Sequence, residues 1–163
     1  MSPFLPRRLT FAVLASGSSG NCAYVGDGES GLLLDCGLSA RRILTDLQAL
    51  GLGDAPIDAV LLTHEHSDHV QGARVLSTRL RSRTGRPPPF FMTRGTASGL
   101  QPACRPDSIE TIEAGHPFRV GGIDVLPFST SHDTRDPVAY HLAVMGIEIG
   151  IITDSGCCTH LIA

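Results

Sequence analysis

The chain contains no tryptophan and no lysine. The first absence removes a common stacking residue. The second leaves all 13 basic side chains as arginine, a usage from which no function is read. No apolar run approaches the roughly 20 residues that a bilayer-crossing helix needs, which excludes a helical membrane span. Cysteine occurs five times, an odd count with no CxxC pair and no zinc-knuckle spacing. Such a pattern is not a disulfide framework and points to a reducing, cytoplasmic compartment. Residues 1–10 carry Arg7 and Arg8 but no apolar core followed by a cleavage site, so no signal peptide is expected. The formal net charge of −3 argues against a general nucleic-acid coat and leaves room for a local basic groove.

With 163 residues and 42% apolar content, the chain is too hydrophobic to be disordered and long enough for one domain. Eighteen glycines and 11 prolines favour a loop-rich fold with many strands over a helix bundle. Short apolar runs predict strands over residues 10–15, 22–25, 32–34, 57–63, 90–93, 108–112, 123–128, 138–144 and 147–153. The last two are joined at Met145-Gly146, as in a hairpin. A helix is predicted between Ser39, a good N-cap, and Gly51, a good C-terminal stop, with Ile43, Leu44, Leu47 and Leu50 on its apolar face. A second helix is predicted over residues 70–80. The basic, proline-rich stretch 79–89 reads as a loop.

The chemistry concentrates in Thr63-His64-Glu65-His66-Ser67-Asp68-His69, with three imidazoles and two carboxylates directly after an apolar strand. Histidines clustered there lose hydration unless something binds them. Imidazole together with carboxylate suits borderline cations such as Zn²⁺ or Mn²⁺. On a loop, His64 and His66 can face one ion while Asp68 and His69 face a second. Two later segments can close the cluster. His132 and Asp154 each follow an apolar strand, and sheets with parallel strands place their sites at such ends.

This set, with Asp35 in Leu34-Asp35-Cys36-Gly37 before it, resembles the metallo-β-lactamase-fold hydrolases. Three segments are similar to the WalJ/YycJ-like branch, regarded as DNA exonucleases or phosphodiesterases. They are Ser16-Gly17-Ser18-Ser19-Gly20-Asn21-Cys22, Asp35-Cys36-Gly37-Leu38-Ser39, and His132-Asp133 leading to Asp136-Pro137 and Tyr140. The likeness runs over nearly the whole chain. It implies that His64, His66 and His132 hold a first metal, that Asp68 and His69 hold a second, and that Asp154 bridges them. It implies that Asp35 anchors the metal loop from outside the ligand set. The implied activity is phosphodiester hydrolysis, of DNA or another nucleic acid. Two divalent cations, Zn²⁺ foremost and Mn²⁺ next, would share the attacking hydroxide, oriented by Asp68 or Asp154. Glu65 would point away and support the loop.

The implied fold is α/β, a four-layered αββα sandwich of two similar halves. In the family a later strand-end supplies a last histidine for the second metal. The sequence stops at Ala163 before such a strand, and His160 falls in what reads as a following helix. The expectation is a single metallo-β-lactamase-like domain over residues 1–163, incomplete at its C-terminal end. Only the N-terminal part of the sandwich would be present, with the inner face of its first sheet bare.

Substrate contacts rest on less. The turn carrying Ser18, Ser19 and Asn21 can offer backbone N–H groups to a phosphate. Arg74, Arg79, Arg81, Arg83 and Arg86 can clamp phosphates, although a solvated loop is the simpler reading. Cys22 and Cys36 are expected in the core, and Cys157 and Cys158 are candidate buried thiols near the site. Thioester or lactone hydrolysis on the same metals, cleavage of a small cyclic phosphodiester, and an inactive truncated metal-binding domain stay open as alternatives. The sequence does not set the oligomeric state.

Overall fold

The computed structural model describes residues 7–156. Cys157, Cys158 and His160 lie outside the described residues. Period-two patterning builds the sheets. In β2 (Cys22–Gly26) and β3 (Gly31–Leu34) successive side chains enter two different cores. Leu33 faces one, and Leu32 and Leu34 face the other. In β4 (Ala59–Leu61), Val60 and its flanking residues divide in the same way. Burial on both faces is why residues 57–63 read as a nearly unbroken apolar run.

These strands join β1 (Thr10–Ala15), β5 (Phe90–Thr93) and β6 (Ile109–Ile112) in a six-stranded sheet of order β1-β2-β3-β4-β5-β6. The first three strands are antiparallel, and β3 through β6 are parallel. Parallel neighbours need crossovers. These run through α1 (Ala40–Ala49), the short α2 (Ser67–Val70), α3 (Ala73–Thr84) and α4 (Arg94–Gly99). Helices α1 and α3 bury Ile43, Leu47, Leu76 and Leu80 against the outer face. The Ser39 side chain accepts the Arg42 N–H, and Gly51 takes a positive φ just beyond the helix, as the sequence suggests. Leu50 lies past the last turn and is 56% exposed, off the expected apolar face.

The basic stretch differs from its reading as a loop. Helix α3 continues to Thr84 because the helix-breaking prolines begin only at Pro87. Arg79, Arg81 and Arg83 therefore ride on its exposed side. Arg81 pairs with Asp107 at 3.0 Å, and Arg83 donates to the Gly53 carbonyl at 2.6 Å.

A second, antiparallel sheet runs in the order β10-β9-β8-β7, from β7 (Phe118–Val120), β8 (Ile123–Ser129), β9 (Val138–Val144) and β10 (Ile147–Ile151). Met145 and Gly146, both at positive φ, close the β9–β10 hairpin. This sheet overturns the expectation that only the N-terminal part of the sandwich is present. Val25, Leu32, Leu34 and Leu61 of the first sheet are buried against Ile123, Val125, Tyr140 and Leu142 of the second. The inner face is covered, and candidate metal-binding residues extend to Asp154, three residues past the end of β10. The physical reason is local. Hairpins need only short connections, so residues 118–151 suffice for a covering sheet.

Two bonds pin the sheets together where β4 ends. Tyr140 donates its hydroxyl to the Leu62 carbonyl at 2.7 Å, and the Val138 N–H donates to the Thr63 carbonyl at 3.0 Å. No helix among the described residues is long and apolar enough to cross a membrane.

The β2–β3 turn is held by a buried carboxylate. Asp27 accepts the backbone N–H groups of Glu29 and Ser30 at 2.9 and 2.8 Å and pairs with Arg7. Burial pushes its pKa up, but those N–H donors and Arg7 prevail and hold it below the ordinary 3.8. A depressed folded pKa contributes stability above the unfolded pKa, and that contribution fades as pH falls through the folded value. Asp27→Ala should therefore cost about 1–3 kcal/mol at neutral pH. The deficit should shrink on acidification below about pH 4. Urea unfolding of both proteins at neutral and acid pH checks this.

Candidate metal centre

The site forms where β3 and β4 end side by side. Asp35 follows β3 at φ +56°, a left-handed conformation that Asp tolerates better than most residues. Its N–H donates to the Leu61 carbonyl at 2.8 Å, which keeps it beside β4. Its buried carboxylate accepts the Thr63 N–H at 2.9 Å, the Thr63 hydroxyl at 2.9 Å and the His69 Nδ1–H at 2.8 Å. The following backbone lies under the metal loop. The Cys36 N–H donates to the His69 carbonyl, and the Gly72 N–H donates to the Cys36 carbonyl. A Cβ on Gly37 would overlap the Asp68 carbonyl, so this contact admits only glycine.

On this platform the histidines converge. Ring centroids of His64 and His69 lie 4.0 Å apart, and His64 stands 4.8 Å from both His66 and His132. His66 Nδ1 is 3.1 Å from His132 Nε2. Asp154 Oδ2 lies 2.7 Å from His69 Nε2 and 3.7 Å from His64 Nε2. Two triads result, His64/His66/His132 and His64/His69/Asp154, with the ligand atoms of each within 4.8 Å of one another. Both are donor sets able to hold divalent ions.

Hydrogen bonding decides which ring nitrogens are available. Thr63 Oγ1 lies 3.0 Å from His64 Nδ1 and gives its own proton to Asp35. One of its two lone pairs accepts the His64 Nδ1–H, so the lone pair of that ring is on Nε2. That atom is buried and has no hydrogen-bond partner. An orphaned buried acceptor is costly in a site without a cation and well placed in one with it. Burial, followed by the neighbouring His69, His132 and His66, pushes the His64 pKa down to about 3, which keeps the ring neutral. His69 is the opposite case. Burial lowers its pKa, but the Asp35 hydrogen bond and the charges of Asp35, Asp68 and Asp154 prevail and raise it. The residues present fit a pair of divalent cations.

The other expected residues fall around this centre. Asp68 Oδ2 is 3.6 Å from His69 Nε2 and belongs to neither triad. Asp154 sits at φ +49° at the end of the β10 segment and is partly exposed. Ser18 and Ser19 are exposed on their turn, while Asn21 is buried. Glu65 turns away from the rings and accepts the Arg135 N–H at 2.9 Å, which fastens the loop that carries His132. Thr93 helps by donating to the Asp136 carbonyl at 2.8 Å. Sequence reasoning missed Thr63 and Thr93. Both are threonines at the C-terminal ends of adjacent strand segments, the one available signal.

Replacing Asp35 by Asn puts an amide donor where donors converge. Asp35→Asn should destabilise the fold by about 1–3 kcal/mol. It should also weaken zinc binding by about 10–100-fold. Urea unfolding and chelator competition read the two effects separately.

Comparison with known proteins agrees with this geometry. The family model described as the metallo-beta-lactamase superfamily matches residues 15–141. Exodeoxyribonuclease YycJ of Bacillus anthracis is 32% identical over 91% of this chain and 55% of its own length. Exodeoxyribonuclease WalJ of Streptococcus pneumoniae is 30% identical over 90% of this chain and 54% of its own length. The chain thus spans about half the length of the curated relatives it matches. Among solved structures, the metallo-beta-lactamase fold protein YhfI of Bacillus subtilis superposes with a TM-score of 0.68 at 17% identity, covering 87% of this chain and 61% of that one, which speaks to fold alone. With the family model covering most of the sequence and the paired triads at the seam of its two sheets, the chain belongs to the metallo-beta-lactamase superfamily.

Proposed function

We propose that the chain is a metal-dependent hydrolase of phosphodiester bonds, exonuclease-like, with DNA as the favoured substrate. The observation that carries this reading is the pair of triads sharing His64. On the substrate side it is supported by the exodeoxyribonuclease names of the relatives matched over most of this chain. His64, His66 and His132 would hold one cation. Asp68, His69 and Asp154 would hold the other, with Asp154 facing His64 as well. Two divalent ions, Zn²⁺ foremost and Mn²⁺ as the alternative, would lower the pKa of water and neutralise charge building on the phosphoryl oxygens.

The chain's own residues supply orientation and protonation state. Asp35 holds the His69 Nδ1 proton, and Thr63 accepts the His64 Nδ1 proton, so both Nε2 atoms face the site. The low pKa of His64 keeps its Nε2 lone pair free well below neutrality. Asp68 and Asp154 place two carboxylates beside His69, where they can orient a nucleophile. Ser18 and Ser19 are exposed on their turn, whose backbone N–H groups would meet a substrate phosphate. The free thiols of Cys22 and Cys36 support a reducing compartment, and the cytoplasm is the proposed location.

The test is metal analysis joined to a substrate panel. Two equivalents of Zn²⁺ or Mn²⁺ and chelator-sensitive cleavage of a phosphodiester or single-stranded DNA are expected. His66→Ala and His132→Ala should each lower turnover by at least about 100-fold, beyond the loss of an outer partner. Turnover of thioesters or lactones alone would overturn the reading. So would one equivalent of metal with no ester cleaved.

A further inference from the structure

We infer that Asn21 is a positioning residue for the cation subsite formed by Asp68, His69 and Asp154. This rests on the two-cation reading above and assigns that site a residue outside both triads.

The side chain of Asn21 is buried, and its amide is oriented unambiguously. Oδ1 accepts the Gly17 N–H at 3.0 Å, which identifies the other branch of the amide as the donor Nδ2. Nδ2 donates to the Gly17 carbonyl at 3.1 Å. The same nitrogen lies 3.4 Å from both the carbonyl oxygen and Oδ2 of Asp68, and 3.0 Å from His69 Nε2, whose lone pair a bound cation would take in its place. The backbone adds to this grip. The Asn21 N–H donates to the Asp68 carbonyl at 2.7 Å, and its carbonyl accepts the Gly37 N–H at 2.9 Å. One residue therefore fastens the Asp68–His69 segment to β2 and to the backbone beside Asp35.

The polar groups of the side chain are occupied inside the protein, by the turn on one side and the subsite on the other. A residue that offered its amide to a substrate phosphate would leave it facing solvent, as Ser18 and Ser19 leave their hydroxyls. The grip is also one-sided. No hydrogen bond joins Asn21 to His66 or His132, which complete the other triad, among the described residues. Loss of the amide should disturb one cation far more than the other.

The experiment is zinc titration against a chromophoric chelator, resolving two binding steps. His132→Ala identifies the step of the all-histidine triad, and Asp68→Asn, at the carboxylate assigned to the second ion alone, identifies the other. Asn21→Ala should weaken the step that Asp68→Asn weakens by about 10–100-fold and leave the other within about threefold. Circular dichroism of the metal-free protein checks that the variant folds. If it does not, Gly17→Ala replaces it. Gly17 sits at φ +145° with open space around a Cβ, so the change strains the turn that orients the amide without crowding the site. It should shift the same step in the same direction. Two unchanged steps, or equal weakening of both, overturn the inference while leaving two-cation binding intact. A wild-type protein that takes up only one ion overturns both.

Discussion

The carboxylate of Asp35 receives three hydrogen bonds in a space closed to solvent, and the site takes its shape from where those donors must stand. One donor is the Thr63 N–H, which stops the chain from drifting as it leaves β4. Another is the Thr63 hydroxyl, which leaves its oxygen as acceptor for His64. The third is the His69 ring. One anion thus settles the tautomers of two histidines that approach from opposite ends of the loop. The arrangement carries strain, since Asp35 and Asp154 are both non-glycine residues at positive φ. Left-handed backbone at such positions persists where the surroundings over-determine it. Here the paired backbone around Leu61, Cys36 and Gly72 does so for Asp35.

The legible part of this molecule is the part encoded over short distances. His64, His66 and His69 announce themselves because three rings follow one apolar run, and the helix between Ser39 and Gly51 shows its caps and its stripe. Asp35 was identifiable through its likeness to a family motif. Thr63 was not, because a threonine at a strand end is ordinary until its neighbours in space are known. Asn21 was visible only as part of a turn. Its neighbours Asp68 and His69 are brought to it by sheet pairing, which no local pattern encodes.

The covering sheet shows a different failure. Three of its four strands, β8, β9 and β10, carry clear apolar patterns, and the β9–β10 hairpin turn was readable. Those strands are enough to cover the inner leucines of β3, Leu32 and Leu34, although the family's usual length implies a longer second half. β7, with only three residues, has too little pattern to be seen. The arginine stretch misled because its charge and nearby prolines resemble a loop, although nothing interrupts the helix before Gly85.

The all-histidine triad draws two of its rings from the loop after β4 and the third from the loop after β8. Any ion gripped by all three is therefore a stitch across the seam of the sandwich. It can be held only while the two sheets are docked, so every increment of its affinity also stabilises that docking by mass action. Tyr140 and Val138 already fasten the same seam at Leu62 and Thr63. Ion binding and the mechanical integrity of the fold are consequently coupled quantities here, and a chelator that took such an ion away would loosen the seam as well.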